Sequence, residues 1–356
     1  ALSEYSQLSG DTDMVQQLYP VVVNFMDYLA AYRHPDTGLL DLPAGSWAET
    51  AYLDTNAGAA RAGQSAPLNA MYYHTLLQAA NLAGQLGDEP RRMNWQAQAQ
   101  QVKDAFNVYL YLPEEGRYLT SLLAGQAIQP SVYSLAWPLA YDLVPADQVD
   151  RVVAALLNEM AAGPNRTNIN VYGLYWVSEA LGRSGHIQAG VDMIRNYYGY
   201  LLQAGATTWW ERFDAGERFY ASLSHAWGSA PNWYLTTYVL GARQTGPQEW
   251  FLQPGVSDLQ SVQGQLPVGD RWLEVDWESG SGCLPDHLTV FSPAGTQGTI
   301  VLPIDHRIKQ VRYNDVLILD HSLKSANTPD MVPSMSVEVG SGWHVFELVS
   351  YCKGDD

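Results

Sequence analysis

The chain has 356 residues, of which 47% are apolar, enough for one large domain or two ordinary ones with a substantial core. Its net charge is −18 and only 19 residues are Lys or Arg, so no basic patch can neutralise phosphates and we expect no nucleic-acid binding. No apolar run reaches the roughly 18 residues of a membrane span, and the first residues lack the pattern of a signal peptide. We therefore expect a soluble protein that does not associate with a membrane, in the cytoplasm or secreted.

The aromatic residues are biased towards rings that carry a polar atom, because 12 Trp and 22 Tyr stand against 7 Phe. Such rings combine a large apolar face with a hydrogen-bonding atom, which suits sugar ligands as well as the packing of a large core. Cys283 and Cys352 are the two cysteines, and they lie too far apart in sequence to indicate a disulfide framework or a zinc site.

The first predicted helix covers residues 11–32, where apolar residues from Val15 to Leu29 recur at helical spacing after cap-forming residues. Residues 33–66 break this pattern with Pro, Gly, Asp and Thr, and a loop this long inside a compact domain is usually functional. A helical hairpin follows over residues 68–86 and 90–109. After a small turn or hairpin at 113–125, helical patterns cover residues 131–142, 146–161, 171–182, 186–202 and 233–241.

These patterns amount to about eight helices arranged as successive hairpins without a strict sequence period. An alternating ring of helical hairpins closes well as an α/α-barrel. An α-solenoid is the structural alternative, although it would show a clearer repeat.

After residue 246 the pattern changes to short β-type runs separated by Gly, Pro, Asn and Asp. The runs cover residues 273–277, 288–291, 298–302, 311–313, 316–319, 335–339 and 343–348, with a hairpin turn at 313–316. Several short strands at this spacing favour an antiparallel sandwich. We therefore predict an α/α-barrel domain of catalytic type over residues 1–246 and a β-sandwich domain over residues 247–356.

Glu211 is the leading candidate for acid/base chemistry. It follows Trp209 and Trp210, and in a partly desolvated cleft the pKa of a Glu can be adjusted to such work. The alternative is a surface Glu paired with Arg212 or Arg218. His225, fourteen positions later, is a candidate donor to a sugar hydroxyl or, equally, a satisfied core or cap histidine.

The long loop supplies a second group of candidates. Trp47 is suited to stack on the apolar face of a pyranose, and Glu49 and Asp54 can accept hydrogen bonds from its hydroxyls. The alternative is a loop anchored by a buried Trp with solvated carboxylates. The sequence contains no metal motif, phosphate-binding Gly loop, Gly-x-Ser-x-Gly elbow or dinucleotide fingerprint, which argues against oxidoreductases, kinases and ester hydrolases. Glycoside hydrolysis needs only two carboxylates.

Seven short motifs follow one another along the chain: SGD (9–11), GSW (45–47), LNAMYY (68–73), ATTWWE (206–211), SHAWGSAP (224–231), SVQGQLP (261–267) and LEVDW (273–277). In this order they resemble the motifs of bacterial α-L-rhamnosidases of glycoside hydrolase family 78. The resemblance implies an (α/α)6 barrel of the six-hairpin type followed by a β-sandwich, and inverting hydrolysis of terminal α-L-rhamnosides. It implies no metal and no organic cofactor.

The same resemblance assigns roles to individual residues. Glu211 matches the general base that activates water, His225 and Trp47 match sugar-binding positions, and Trp210 lies in the same motif as the base. With Glu49 and Asp54, which are proposed from the loop itself, the binding set predicted for the carbohydrate substrate is Trp47, Glu49, Asp54, Trp210 and His225.

One departure from the family pattern bears on activity. The family's general acid lies upstream in an Arg-x-Glu-Arg-x-x-Trp type of segment, which is not found before Ser9, and about eight helices fall short of the twelve of a complete barrel. Ser46 also stands where many relatives have Asp. The expected explanations are a missing N-terminal segment, another chain that completes the barrel, or a shortened relative. The alternatives for function are a non-catalytic carbohydrate-binding protein and an α/α-barrel hydrolase of another glycan.

Overall fold

The computed structural model describes residues 1–45, 53–54, 61–164, 166–217, 219–280, 284–304, 307–320 and 334–351. The chain divides into two compact units. The first, mostly helical, comprises Ala1–Ser3 and Asp11–Pro231, and the second, mostly β, comprises Glu4–Gly10 and Asn232–Asp356.

The helices follow the hairpin pattern predicted from the sequence. A helix is present in every predicted range, and one helix, α1, was not predicted, because eight residues are too few to display a full apolar stripe. The helices of the described residues are α1 (Leu2–Ser9), α2 (Thr12–Ala30), α3 (Ala66–Gln85), α4 (Glu89–Tyr109), α5 (Val132–Ala140), α6 (Val149–Met160), α7 (Leu174–Arg183), α8 (Ile187–Met193), α9 (Gly199–Gln203) and α10 (Ala230–Tyr234). One π-helical segment, Ile194–Tyr198, joins α8 to α9, and another, Leu235–Val239, continues α10.

Short-range signals determine where these helices begin. The side chain of Asp11 accepts a hydrogen bond from the Met14 N–H at 3.0 Å and caps α2. Asp88 caps α4 in the same way, and Pro90 in the first turn needs no hydrogen-bond donor there. Between α3 and α4, Gly87 has a positive φ of 71°, the left-handed conformation that commonly ends a helix. The hairpin α3–α4 therefore follows from local sequence.

The core of the first unit is built around α5, in which every residue from Val132 to Ala140 is buried. The long loop after α2 is fixed to this core by Asn69 of α3. Its side-chain amide bonds both backbone groups of Leu40, at 2.7 Å and 3.0 Å, and donates to the Ser65 carbonyl at 2.9 Å. The Asn of the LNAMYY motif is thus a buried anchor for the start of the loop.

Two small antiparallel sheets belong to the first unit. The small hairpin predicted at 113–125 is confirmed, and the chain forms two short hairpins there, one in each sheet. The strands are β1 (Gln64–Ser65), β2 (Tyr111–Leu112), β3 (Arg117–Tyr118), β4 (Ser121–Leu123) and β5 (Gln126–Ile128), in the orders β1-β4-β5 and β2-β3.

The second unit is a β-sandwich of a six-stranded and a four-stranded sheet, in the orders β13-β12-β15-β10-β9-β8 and β14-β11-β7-β6. Every pair in these two sheets is antiparallel except β7 with β11. Side chains of both sheets form one apolar core, including Trp250, Val275, Ile300 and Phe346. The strands are β6 (Ala242–Gly246), β7 (Glu249–Leu252), β8 (Ser261–Val268), β9 (Arg271–Glu278), β10 (Asp286–Ser292), β11 (Gln297–Pro303), β12 (Ile308–Tyr313), β13 (Val316–Asp320), β14 (Ser334–Val339) and β15 (Gly342–Ser350).

The predicted strands of the sandwich are confirmed, and so is the turn between β12 and β13, where Asn314 and Asp315 have φ values of 46° and 66°. Strands β6, β7 and β8 were not predicted. Of these, β6 and β7 form a hairpin that spans the predicted domain boundary between residues 246 and 247. The limits of the independently folding domains stay a prediction.

Across the described residues, no helix combines the length and the apolar character needed to cross a membrane.

Candidate functional site

The two motifs singled out around Glu211 and His225 lie side by side in the structure. The His225 N–H donates to the Trp209 carbonyl at 2.7 Å, and the Glu211 N–H donates to the Ser222 carbonyl at 3.0 Å. The Thr208 hydroxyl also bonds the Leu223 carbonyl. These hydrogen bonds hold the two motifs together, although the motifs are separated in sequence.

The Glu211 side chain is held by this pairing. Its Oε2 accepts a hydrogen bond from the Ser222 N–H at 2.7 Å, while Oε1 has no hydrogen bond to any described residue. The backbone is fixed as well, because the Trp227 indole N–H donates to the Glu211 carbonyl at 3.0 Å. The predicted alternative, a pair with Arg212, is not formed, since Arg212 bonds Asp214 at 3.1 Å. Arg218, the other suggested partner, lies outside the described residues.

The two tryptophans before Glu211 have different surroundings. Trp210 is only 6% exposed and packs against Gly216, where a Cβ would come within 2.7 Å of the indole. Trp209 is 36% exposed, and its ring meets that of Tyr198 edge-on at 5.9 Å. Trp209 is therefore the ring that faces solvent, whereas Trp210 supports the backbone of the site. A sugar contact by Trp210 stays a prediction.

Gly228, in the SHAWGSAP motif, allows the two segments to approach. A Cβ at this position would lie 2.8 Å from the Trp210 carbonyl oxygen and 3.3 Å from the Trp209 Cβ. The first of these atoms is backbone and cannot move aside without displacing the Glu211 segment. The glycine of this motif is thus required by packing beside the candidate base.

His225 stacks on Trp227, with ring centroids 4.0 Å apart and an interplanar angle of 27°. Its Nδ1 atom is buried and has no hydrogen-bond partner among the described residues. A buried polar atom without a partner costs about 1–3 kcal/mol and needs an explanation, such as a ligand or water. The position of His225 beside the Glu211 segment is consistent with a binding role, which stays a prediction.

A continuous row of aromatic rings leads from His225 into the helical core. Trp227 contacts Tyr172 with ring centroids 5.2 Å apart, and Tyr172 contacts Trp176 at 5.0 Å. The row then continues inward through Trp137, stacked on Trp176 at 4.5 Å, and Tyr133, which lies 5.1 Å from Trp137. We call the six residues His225, Trp227, Tyr172, Trp176, Trp137 and Tyr133 the aromatic row.

Asp54 lies at the inner end of the aromatic row. It is fully buried, and its Oδ2 accepts hydrogen bonds from the Tyr133 hydroxyl at 2.5 Å and from the Asn170 N–H at 3.4 Å. Burial raises the pKa of the Tyr172 hydroxyl, and the charge of the nearby Asp54 raises it further. This carboxylate is engaged with protein groups, so the geometry favours a positioning role. Direct contact of Asp54 with a sugar stays a prediction.

Tyr133→Phe tests whether Asp54 depends on its tyrosine. The change removes a hydrogen bond to a buried carboxylate, and we expect the free energy of unfolding to fall by about 1.5–3 kcal/mol. Tyr118→Phe is the matched control, because Tyr118 is equally buried but donates to the neutral Asn107 amide at 2.7 Å, so its loss is expected to be about 0.5–1.5 kcal/mol. Urea unfolding followed by far-UV circular dichroism measures both. Equal losses of unfolding free energy in the two variants would show that the bond to Asp54 stabilises the fold no more than the bond to Asn107 does.

Two predicted binding residues, Trp47 and Glu49, lie outside the described residues, as do Ser46, Cys283 and Cys352. Within the described part of the chain, no group of three or more His, Cys, Asp and Glu side chains is placed to hold a metal ion. The expectation that no cofactor is needed stays a prediction.

Sequence reasoning missed the contribution of Tyr133, Tyr172 and Trp176. These residues lie in helical segments where aromatic residues look like ordinary core, and no short motif marks them. The available signal was the unusual number of Trp and Tyr, which indicated an aromatic site without indicating its members.

Comparisons with known proteins identify the family and the fold of the chain. Residues 2–239, more than half of the chain, match the model of the bacterial alpha-L-rhamnosidase 6 hairpin glycosidase domain. No curated protein matches the chain in a sequence comparison.

Solved structures of α-L-rhamnosidases share the fold. That of Dictyoglumus thermophilum has a TM-score of 0.75 at 19% identity and covers 98% of this chain and 38% of its own. That of Aspergillus terreus has a TM-score of 0.72 at 19% identity and covers 97% of this chain and 38% of its own. That of Streptomyces avermitilis, complexed with L-rhamnose, has a TM-score of 0.71 at 19% identity and covers 96% of this chain and 32% of its own. The chain thus spans about a third of the length of these structures.

The likeness extends over both units, since almost the whole chain is covered in each of these structures. At this identity it establishes the fold, which excludes the solenoid alternative. The match to the family model establishes more. The chain belongs to the family of bacterial α-L-rhamnosidase six-hairpin glycosidase domains.

Proposed function

We propose that this protein is an inverting glycoside hydrolase that acts on terminal α-L-rhamnosides, with Glu211 as the general base. The observation that carries the proposal is the state of the Glu211 carboxylate. One of its oxygens is fixed by the Ser222 N–H, and the other forms no hydrogen bond to a described residue. We assign this second oxygen to the water molecule. Membership of the rhamnosidase family supports the choice of substrate.

The proposed reaction is a single displacement. Oε1 of Glu211 takes a proton from a water molecule, whose oxygen forms a bond to the anomeric carbon as the bond to the leaving oxygen breaks on the opposite face. A general acid gives its proton to the leaving oxygen. In inverting enzymes the two carboxyl groups are about 6.5–9.5 Å apart, which leaves room for the water.

Binding is assigned to the groups around the base. The exposed Trp209 ring and the stacked pair of His225 and Trp227 supply apolar faces and hydrogen-bonding atoms for a pyranose. Trp47 and Glu49 are added to this set from the sequence alone. The hydrogen-bonded pair of Asp54 and Tyr133 lies at the inner end of the aromatic row and supports these rings. The same groups would serve a protein that binds a sugar without hydrolysing it, so turnover must be measured and not only binding.

The general acid is the unassigned part of the proposal. We infer that it comes from further helices of the barrel, which pack on α2. This helix displays an apolar stripe at helical spacing in which every residue is at least 38% exposed. The stripe consists of Met14, Leu18, Val21, Phe25 and Tyr28.

The test compares leaving groups. The chain is assayed with 2,4-dinitrophenyl and methyl α-L-rhamnosides, since dinitrophenolate departs without protonation and the methyl glycoside requires the acid. With the base present and the acid elsewhere, we expect turnover of the dinitrophenyl compound only, with β-L-rhamnose as the first product in proton NMR. Binding of L-rhamnose without turnover of either compound would refute catalysis by this chain. Faster turnover of another aryl glycoside would refute the assignment of α-L-rhamnosides as the substrate class.

A further inference from the structure

The six-stranded sheet of the second unit has one face in the sandwich core and one face outside it. Along β9, Leu273 and Val275 are buried in the core, so the alternating residues Trp272, Glu274 and Asp276 point outward. Register extends this pattern across the neighbouring strands. We call the outward set the outer face, and it comprises Trp272, Glu274, Asp276, Gln263, Gln265, Phe291 and Trp343.

Two tryptophans of the outer face are largely exposed to solvent. Trp343 is 60% exposed and Trp272 is 54% exposed. Trp343 is also oriented by a neighbour, because its ring lies 5.0 Å from that of Phe291 on the paired strand, at an interplanar angle of 48°. Large aromatic rings held in the open on a rigid sheet are unusual for a surface that only faces water.

Polar side chains occupy the space beside these rings. Gln265 donates to Glu274 at 3.3 Å, and Gln263 donates to Asp276 at 3.1 Å. Each carboxylate therefore keeps acceptor capacity for a further donor. The amides bring additional donors and acceptors, so the set can bond hydroxyl groups in either direction.

The register of the sheet fixes the spacing of the rings. Trp343, Phe291 and Glu274 stand in one row across β15, β10 and β9, and Trp272 lies one row further along β9. Two strand spacings and one two-residue step place the Cα atoms of Trp343 and Trp272 about 12 Å apart. This distance is too large for both rings to stack on one pyranose, but it suits two sugar rings of one chain that are not adjacent.

We propose that the outer face is a second carbohydrate site, which binds a neutral oligosaccharide through Trp272 and Trp343. Rings with hydrogen-bonding side chains between them match a ligand whose apolar faces alternate with hydroxyl groups. Glu274 and Asp276, in a chain of net charge −18, disfavour an anionic ligand. The site shares no residue with the Glu211 site and does not rest on the function proposed there.

The test measures saccharide binding to the 356-residue chain by calorimetry. The probe is a tetrasaccharide of α-linked L-rhamnopyranose, with L-rhamnose and tetragalacturonic acid as comparisons. We expect a class of sites that binds the tetrasaccharide at least about tenfold more tightly than the monosaccharide. Trp343→Ala and Trp272→Ala should each lower the affinity of these sites for the tetrasaccharide by at least about tenfold. Glu211→Gln is expected to leave this class unchanged.

Val316→Ala is the matched control, since Val316 is 63% exposed on β13 of the same sheet but is not part of the outer face. Trp343→Tyr retains a ring and should restore part of the affinity, and thermal unfolding checks that all variants are folded. Unchanged tetrasaccharide binding in the double Trp variant would overturn the proposal. Tighter binding of tetragalacturonic acid than of the neutral tetrasaccharide would also overturn it. So would a parent chain that forms dimers together with a double Trp variant that is monomeric but binds the sugar as before.

Discussion

Glu211→Gln is expected to lower turnover of 2,4-dinitrophenyl α-L-rhamnoside by about 10²–10⁴-fold, the usual cost of removing a general base. The amide keeps the shape of the side chain and can still accept the Ser222 N–H bond, which is 2.7 Å in the parent. It cannot take a proton from water. Because binding groups are retained, KM should change much less than kcat, and initial-rate kinetics measures both.

Two comparisons make this result specific to Glu211. Glu217→Gln changes an exposed Glu in the same loop and should leave kcat within about twofold, as surface substitutions usually have small effects. Glu211→Ala with added azide should recover turnover, because azide attacks the anomeric carbon without losing a proton. The product would be β-L-rhamnosyl azide and dinitrophenolate. Unchanged kcat in Glu211→Gln would show that another group activates the water.

Trp137→Ala is expected to lower the free energy of unfolding by about 3–5 kcal/mol, the range for truncating a buried Trp. Trp137 is fully buried at the centre of α5 and stacks on Trp176 with an interplanar angle of only 10°. The loss combines the removed contacts with the cavity that remains, because a wholly buried helix has little freedom to collapse into it.

The measurement for Trp137→Ala is hydrogen exchange of peptides from α5 and α7, read with mass spectrometry so that the second unit does not mask the change. Trp209→Ala is the control, because that ring is 36% exposed and should cost less than half as much. Trp137→Phe should lie between the two. Equal effects of Trp137→Ala and Trp209→Ala would contradict the view that the aromatic row is anchored in the core.

The sequence predicted the helices and most of the strands because their apolar patterns are local. The first half of the site was also predictable, since Trp209, Trp210 and Glu211 are adjacent. The partners of Asp54 were not, because Tyr133 and Asn170 lie 79 and 116 residues away and no periodicity connects them. The hairpin β6–β7 was missed because its strands have only five and four residues, and β8 was missed because Gly264 and Pro267 interrupt its β-type run.

By itself, the sequence determined the class of the fold, the change from helices to strands, and Glu211 as the candidate base. These features depend on periodicity, turn residues and ordered motifs, all of which act over short stretches of chain. The tertiary structure decided which residues meet. It placed Ser222 on the Glu211 carboxylate, put Asp54 behind the aromatic row, and separated the exposed Trp209 from the buried Trp210. Such pairings arise from packing between distant segments, which a linear pattern does not record.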